Sequence, residues 1–253
     1  MKAVAIIPAR YASSRFPAKA LTMIRGKSMI RRVYEQACQV KGLSEVIVAT
    51  DDHRIFEHLE AAAARVVMTR RDHRSGTDRC AEVAAQLPNT DIILNIQGDE
   101  PYIQPAQIER LLHQLIHNEA ASIATLAQPI HKLEDITNTN VVKLVKSSHD
   151  QALYFSRHPI PFRRDVELAN WSGQYLRHIG LYGFRRATLL AISKLPSSSL
   201  EQAEALEQLR WLENGYSISV ALSEHQSISI DTPEDLRRLE DWLDQQDSLS
   251  SSQ

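Results

Sequence analysis

Residues 3–19 read AVAIIPARYASSRFPAK, a short apolar strand that runs directly into a basic loop. Between Arg10 and Arg32 the chain carries seven basic residues and no acidic one. This cluster is local, because the whole chain of 253 residues has a formal net charge of −2. A cationic loop at the end of a buried strand is where an α/β protein holds a polyphosphate.

Strand-like and helix-like patterns alternate along the first half of the chain. Apolar runs rich in β-branched residues occur at 3–7, 46–50, 65–68, 92–96 and 122–126, with helical patterns between them. This alternation predicts an α/β fold with a mostly parallel, Rossmann-like sheet and helices on both faces. We expect a single domain over residues 1–247 and a disordered polar tail over residues 248–253.

The middle of the chain has a different pattern. Strand-like runs at 141–146, 152–156 and 178–184 follow one another with few helices between them, and prolines cluster here. These features predict a β-rich insertion or lid over about residues 129–185. Beyond it, the pattern predicts one long helix over about 200–214 and a last helix over about 236–245.

Composition excludes several classes of function. The nearly balanced charge argues against a nucleic-acid-binding protein, which would carry a strongly basic face. No apolar run approaches 18 residues, so we expect no membrane span, and the N-terminus lacks a secretory pattern. Cys38 and Cys80, both expected to be small core residues, fit the reducing environment of the cytoplasm.

The basic loop is the first candidate site. Arg10, Arg15 and Lys19 supply positive charge, and the small residues between them allow phosphate oxygens to approach main-chain N–H groups. The loop contains neither the Walker A pattern nor the dinucleotide-binding glycine pattern. The alternative is an ordinary solvated loop.

Two aspartates are candidate metal ligands. Asp99 follows an apolar strand and Gly98, at the edge where parallel sheets bind ligands, and Mg²⁺ prefers one or two carboxylates with phosphate oxygens. Alternatively, Asp99 caps the next helix. Asp231 precedes Thr232 and Pro233, which predict a helix start that does not need Asp231. Asp231 is therefore either a metal ligand or a surface residue.

Further polar residues carry weaker signals. Ser75 and Gly76 precede a helix and could contact a base or ribose, although helix capping explains them slightly better. The second half offers the candidates Arg157, His178, Tyr182, Glu207 and Gln208, and each of them, taken singly, is better explained as a structural residue.

Eight short motifs in order resemble one family over about residues 2–240. They are IPARYASSR, ATDD, DHRSGTDR, NIQGDEP, ALYFSR, RHIGLYG, LEQLR and DTPEDL. Together they are similar to the 3-deoxy-D-manno-octulosonate (Kdo) cytidylyltransferases. The resemblance implies the sheet of a nucleotidyltransferase, with CTP and Kdo as substrates and Mg²⁺ as cofactor. It also implies a homodimer, since family members are often homodimers, and a product used for the synthesis of lipopolysaccharide or capsule.

The resemblance also implies a role for each candidate residue. Arg10, Arg15 and Lys19 would hold the CTP phosphates, with Arg10 and Lys19 also catalytic. Ser75, Gly76 and Gln97 would contact the nucleotide, and Asp99 and Asp231 would be catalytic metal ligands. The residues implied for the sugar acid are Gln97, Arg157, His178, Tyr182, Glu207 and Gln208.

The loop departs from the family pattern at two positions. The family has glycine and proline where this chain has Ala18 and Ala20. If position 18 requires a positive φ, alanine costs about 1 kcal/mol or more. We therefore expect weaker CTP binding, which Ala18→Gly with Ala20→Pro would improve.

Two alternative functions stay open beside the Kdo cytidylyltransferase. One is a cytidylyltransferase for 8-amino-Kdo or a sialic acid, and the other is a degenerate CTP-binding module without turnover.

Overall fold

The structure is a computed structural model that describes residues 1–12, 16–164, 173–225 and 229–250, with only the backbone at 246–250. The strands in these residues are β1 (Ala3–Ala9), β2 (Met23–Ile24), β3 (Lys27–Ser28), β4 (Leu43–Thr50), β5 (Val66–Met68), β6 (Ile92–Asn95), β7 (Ile123–Pro129), β8 (Lys143–Lys146), β9 (Ala152–Ser156), β10 (Leu176–Arg185) and β11 (Ile218–Leu222). The helices are α1 (Met29–Ala37), α2 (His53–Glu60), α3 (Gly76–Ala85), α4 (Pro105–His117), α5 (Leu133–Thr137), α6 (Arg186–Ile192), α7 (Ser199–Glu204), α8 (Glu207–Glu213) and α9 (Pro233–Ser250), with a 3-10 turn at Lys19–Leu21.

The main sheet has the strand order β11-β7-β10-β6-β1-β4-β5. Strand β1 pairs in parallel with β4 and β6, and the pairs β4–β5 and β11–β7 are also parallel. Only β10 runs antiparallel to its neighbours in this order. The predicted mostly parallel α/β sheet is therefore confirmed.

Helices cover both faces of the sheet, which explains why β1 is almost continuously apolar. Every residue of β1 except Pro8 is buried, as expected for a central parallel strand. One face packs against α1, α2 and α4 through residues such as Ile30 and Leu111. The other packs against α3, α6 and α8 through residues such as Cys80 and Trp211.

The predicted insertion contains a strand that belongs to the centre of the main sheet. Strand β10 lies between β6 and β7, with Tyr182 opposite Asn95 on β6 and opposite Thr125 on β7. Strands β8 and β9 extend from it as the outer part of the same sheet. Thus the last part of the 129–185 region is core rather than lid. The position of β10 depends on its pairing with strands that are distant in the sequence, and a local sequence pattern does not predict such pairing.

Three local expectations were wrong. The long helix predicted over 200–214 is two helices, because Ala205 adopts φ 51° and ends α7 before α8 begins. The last helix starts at Pro233, as Thr232 and Pro233 predict, but it continues to Ser250 and so includes part of the predicted tail; residues 251–253 lie outside the described residues. Cys80 is buried as expected, but Cys38 is exposed because α1 ends at Ala37.

Helix α9 closes the structure near the N-terminal loop. Its residues Leu239 and Leu243, with the preceding Ile230, pack on Ile24 and Met29 beside the β2–β3 hairpin. This small cluster is separate from the two clusters that line the main sheet. It brings the residues just before α9 to the end of β1.

Candidate active site

A cavity of about 310 Å³ lies at the carboxyl ends of β1 and β6, where open α/β sheets bind ligands. Pro8 lines this cavity, and two glycines allow the chain to approach Pro8 closely. A Cβ atom at Gly76 would lie 3.0 Å from Pro8 Cγ, and one at Gly98 would lie 3.2 Å from the Pro8 oxygen. The candidate residues that line the cavity are Arg10, Lys19, Ser75, Gly76, Gln97, Asp99 and Asp231.

Lys19 joins the two candidate metal ligands. Its Nζ lies 2.8 Å from Asp99 Oδ2 and 3.1 Å from Asp231 Oδ1. Burial lowers the pKa of Lys19, but the ion pairs with Asp99 and then Asp231 outweigh burial, and the net shift is upward. The ammonium therefore carries a full positive charge between two carboxylates.

Main-chain contacts hold the segments that carry the two carboxylates. Asp99 does not cap the next helix, since the N-cap of α4 is Gln104, so that alternative is wrong. Instead, the Asp99 carbonyl accepts a hydrogen bond of 2.9 Å from the N–H of Ile230, next to Asp231. The helix start predicted at Thr232 is confirmed, because Asp235 N donates to Thr232 Oγ1 at 3.2 Å.

The pair Asp99 and Asp231 fits a magnesium ion on the chemistry of its donors. Both present oxygen ligands to one point, which a single ammonium now occupies. Among the described residues, no group of three or more His, Cys, Asp or Glu side chains could hold a metal alone. Mg²⁺ commonly takes one or two protein carboxylates and completes its shell with water and substrate phosphates.

The basic loop contributes Arg10 and Lys19 to the cavity, whereas Arg15 lies outside the described residues. Ala18 precedes the 3-10 turn that carries Lys19, and its φ is 57°. Position 18 therefore meets the condition of a positive φ, and alanine is strained there. Since Lys19 itself begins the 3-10 turn, proline at position 20 would disfavour its conformation, and Ala18→Gly alone is the better test.

We expect Ala18→Gly to raise the melting temperature by about 1–3 °C and to lower KM for CTP. Glycine removes about 1–2 kcal/mol of left-handed strain, and its unfolded-state entropy offsets about half of that. Ala63→Gly is the matched control, because Ala63 is an exposed alanine with φ 56° away from the cavity. It should stabilise the protein without changing KM for CTP. Equal KM effects in both variants would contradict a role for loop strain in CTP binding.

Ser75 and Gly76 form the start of α3 and line the cavity. Ser75 is the helix cap, as the sequence favoured, and accepts from Asp78 N at 3.1 Å. Its hydroxyl donates to Glu207 Oε1 at 2.8 Å, and the Thr77 hydroxyl donates to Glu207 Oε2 at 2.6 Å. Arg210 also donates to Glu207, at 2.7 Å.

Glu207 is thus a half-buried residue whose two carboxylate oxygens are both hydrogen-bonded. Burial raises its pKa, and the bonds from Thr77 and Ser75 act against that rise. The resemblance implies Glu207 as a sugar contact, and the structure places it behind Ser75 in the cavity wall. It ties α8 to the start of α3.

Of the other predicted sugar residues only Gln97 belongs to the described cavity lining, which does not include Arg157, His178, Tyr182 or Gln208. Gln97 lines the cavity and lies against Gly180 of β10, where a Cβ would be 3.7 Å from Gln97 Cγ. On the same strand, the rings of His178 and Tyr182 have centroids 5.2 Å apart. Gln208 is buried on α8.

Arg157 is held by main-chain carbonyls. Its guanidinium donates to the oxygens of Glu204 at 2.7 Å, Thr139 at 2.9 Å and Ala205 at 3.2 Å. The contact with the sugar acid that the resemblance implies for Arg157 requires some of these bonds to be exchanged. In this structure Arg157 instead organises the turn between α7 and α8.

His178 is a neutral imidazole whose environment fixes its tautomer. Since the Thr125 hydroxyl donates to Leu181 O at 2.8 Å, Nε2 of His178 donates to Thr125 Oγ1 at 2.9 Å. Nδ1 is then left as a hydrogen-bond acceptor. Burial, with a smaller effect of Arg177, lowers the pKa of His178 to about 3.

We expect His178 to make the protein less stable as the pH falls below 6.5. The folded pKa is about 3 and the unfolded one is 6.5, so the unfolded chain binds the extra proton between these values. The wild type should lose about 2 kcal/mol relative to His178→Gln between pH 6.5 and 4.5. Urea unfolding at a series of pH values measures this. The exposed His149→Gln is the control, and parallel curves for wild type and His178→Gln would contradict the assignment.

Sequence reasoning did not assign several residues that line the cavity. These are His73, Arg74 and Arg79. Arg79 is buried, pairs with Asp51 at 2.8 Å and also contacts the Thr69 hydroxyl. The motif DHRSGTDR could have indicated them, because it contains His73, Arg74 and Arg79, but only its Ser75 and Gly76 were selected as site residues.

A parallel α/β sheet, a basic loop after its first strand and two convergent aspartates at its carboxyl edge define a nucleotidyltransferase. A family model described as cytidylyltransferase matches residues 4–220. The chain belongs to this family and, within it, to the 3-deoxy-manno-octulosonate cytidylyltransferases.

Curated relatives and solved structures support this membership. A 3-deoxy-manno-octulosonate cytidylyltransferase from Phocaeicola vulgatus is 50% identical, covering 98% of this chain and 99% of the relative. One from Bacteroides thetaiotaomicron is 48% identical, covering 96% and 98%. The solved CMP:2-keto-3-deoxy-manno-octonic acid synthetase, complexed with CTP, has 43% identity, a TM-score of 0.90 and coverage of 97% and 100%. A 4-diphosphocytidyl-2C-methyl-D-erythritol synthase from Anaerococcus prevotii, 14% identical with a TM-score of 0.63, shares the fold and covers 96% and 99%.

Proposed function

We propose that this chain transfers CMP from CTP to the anomeric hydroxyl of Kdo and releases pyrophosphate. The observation that carries the proposal is the single ammonium of Lys19 that bridges Asp99 and Asp231 in the cavity. The relatives named above support the choice of CTP and Kdo. Neither another sugar acid nor a module without turnover is favoured by them.

The reaction depends on charge and position. The anomeric oxygen of Kdo attacks the α-phosphorus of CTP in line, and the bond to the pyrophosphate oxygen breaks. Such transfers require reactants held in line and neutralisation of growing negative charge, rather than a covalent intermediate. Arg10 and Lys19 supply fixed positive charge at the cavity, and Arg15 is proposed to add to it.

Asp99 and Asp231 are the residues that would hold Mg²⁺. When bound, Mg²⁺ supplies positive charge to the phosphate oxygens and polarises them. Since Lys19 now occupies the space between the two carboxylates, its ammonium must move to make room. The CTP phosphates are the negative partners to which we propose that it moves.

The sugar acid is proposed to bind beside β10 and α8. Gln97, Tyr182 and Gln208 border this side, and Nδ1 of His178 offers an acceptor for a sugar hydroxyl. Arg157 and Glu207 complete the proposed contacts. Because Glu207 also binds Ser75, the sugar side and the nucleotide side share one carboxylate.

The test is a pyrophosphate-release assay in which the protein is mixed with Mg²⁺ and with each nucleotide and sugar acid of a panel. We expect release with CTP and Kdo, with formation of CMP-Kdo, and much slower release with UTP, with a sialic acid or with 8-amino-Kdo. Faster release with either competing sugar acid would reassign the substrate. CTP binding without pyrophosphate release in the presence of any of these sugar acids would favour the degenerate module.

Two further properties belong to the proposal. A homodimer through the region around residues 141–184 is supported by its exposed apolar side chains Leu153 and Phe162, and the molar mass in solution tests it. We also propose action in the cytoplasm, with the product used for lipopolysaccharide or capsule. No helix among the described residues is long and apolar enough to span a membrane.

A further inference from the structure

Lys143 is a lysine with no exposed surface, at the start of β8. Its Nζ donates to the carbonyl oxygens of Asn138 at 2.9 Å, Val141 at 2.6 Å and Arg157 at 2.5 Å. The three hydrogens of the ammonium therefore have three acceptors. Burial lowers its pKa, and the charge of Glu204 opposes that change.

A buried ammonium is a costly way to fill space, because an apolar side chain of similar volume needs no desolvation of charge. Here the ammonium binds three main-chain carbonyls from three different segments. The three carbonyls come from the turn after α5, from the residues before β8 and from the residue after β9. Lys143 holds these segments together at a single point.

The third of these carbonyls belongs to Arg157, which continues the network. The Arg157 N–H donates to Glu204 Oε2 at 2.9 Å, and the Ser156 hydroxyl donates to Glu204 Oε1 at 2.6 Å. The Arg157 side chain in turn binds the carbonyls of Glu204 and Ala205. Lys143 thus holds the main chain of Arg157 in place, and the Arg157 side chain holds the α7–α8 turn.

The α7–α8 turn leads directly to the active site. Ala205 stands in the left-handed conformation, and Glu207 and Gln208 follow it on α8. Glu207 then binds the Ser75 and Thr77 hydroxyls at the cavity. A displacement of the turn would therefore move the residues proposed for the sugar acid.

We propose that Lys143 is a positioning residue for the sugar-acid half of the site, acting through Arg157 and the α7–α8 turn. The inference rests on the proposed function. Lys143 lies outside the lining of the CTP cavity, so its removal should affect Kdo more than CTP.

Lys143→Met tests the inference, with Lys146→Met as the matched control on the same strand. Lys146 is less enclosed and binds only Asp150 among the contacts described for it. We expect Lys143→Met to raise KM for Kdo at least about tenfold, with the Kd for CTP in the absence of Kdo within twofold of wild type. Lys146→Met should change neither value.

Glu204→Gln provides a second variant if Lys143→Met does not fold. It keeps the size of the side chain, removes the charge that receives Arg157 N–H, and should raise KM for Kdo about threefold to fivefold. Unchanged KM for Kdo in the folded variants, or equal losses for CTP and Kdo, would overturn the inference. Failure of the wild type to release pyrophosphate with Kdo would instead overturn the proposed function.

Discussion

Asp99→Asn should lower kcat/KM by about a thousandfold while leaving the fold intact. The amide has nearly the shape of the carboxylate but removes one of the two charges that would hold Mg²⁺ at the phosphates. A loss of about 4 kcal/mol of transition-state stabilisation corresponds to this factor. Initial rates of pyrophosphate release at several Mg²⁺ concentrations measure it, and higher Mg²⁺ should restore part of the activity.

The matched control for this prediction is Asp241→Asn, which changes an exposed carboxylate on α9. It should keep wild-type kinetics. Asp231→Asn should resemble Asp99→Asn, because both carboxylates contact the same ammonium. A loss of less than about tenfold in Asp99→Asn would show that Asp99 is not a metal ligand in turnover.

Lys19→Met should move two measurements in opposite directions. Activity should fall about a hundredfold or more, because a fixed positive charge at the phosphates is lost. Binding of Mn²⁺ to the nucleotide-free protein should become tighter, because the two carboxylates lose the ammonium that now lies between them. Electron paramagnetic resonance of free Mn²⁺ measures the binding without any turnover.

The control for Lys19→Met is Lys27→Met on β3. Lys27 pairs with Glu35 at 2.6 Å on an exposed part of the surface, so its loss should change neither activity nor Mn²⁺ binding. If Mn²⁺ binds more weakly to Lys19→Met than to the wild type, Lys19 does not compete with the cation for these carboxylates.

Local patterns were sufficient for most of the sheet and for the helix caps. The strand before the basic loop, the cap at Thr232 and the start of α3 at Ser75 all follow from neighbouring residues. The sequence pattern did not predict the division of the 200–214 helix, because an alanine such as Ala205 does not indicate a left-handed backbone conformation. The place of β10 was also invisible, since its partners lie far away in the chain.

Neighbouring residues in the chain specify the alternation of strands and helices, the local concentration of positive charge and the residue types at the site. These depend on contacts between near neighbours, and motif resemblance added the family. Only the tertiary structure placed Lys19 against Asp99 and Asp231, which are 80 and 212 residues away. Packing of α9 on the β2–β3 hairpin brings Asp231 there, and such long-range packing has no local signature.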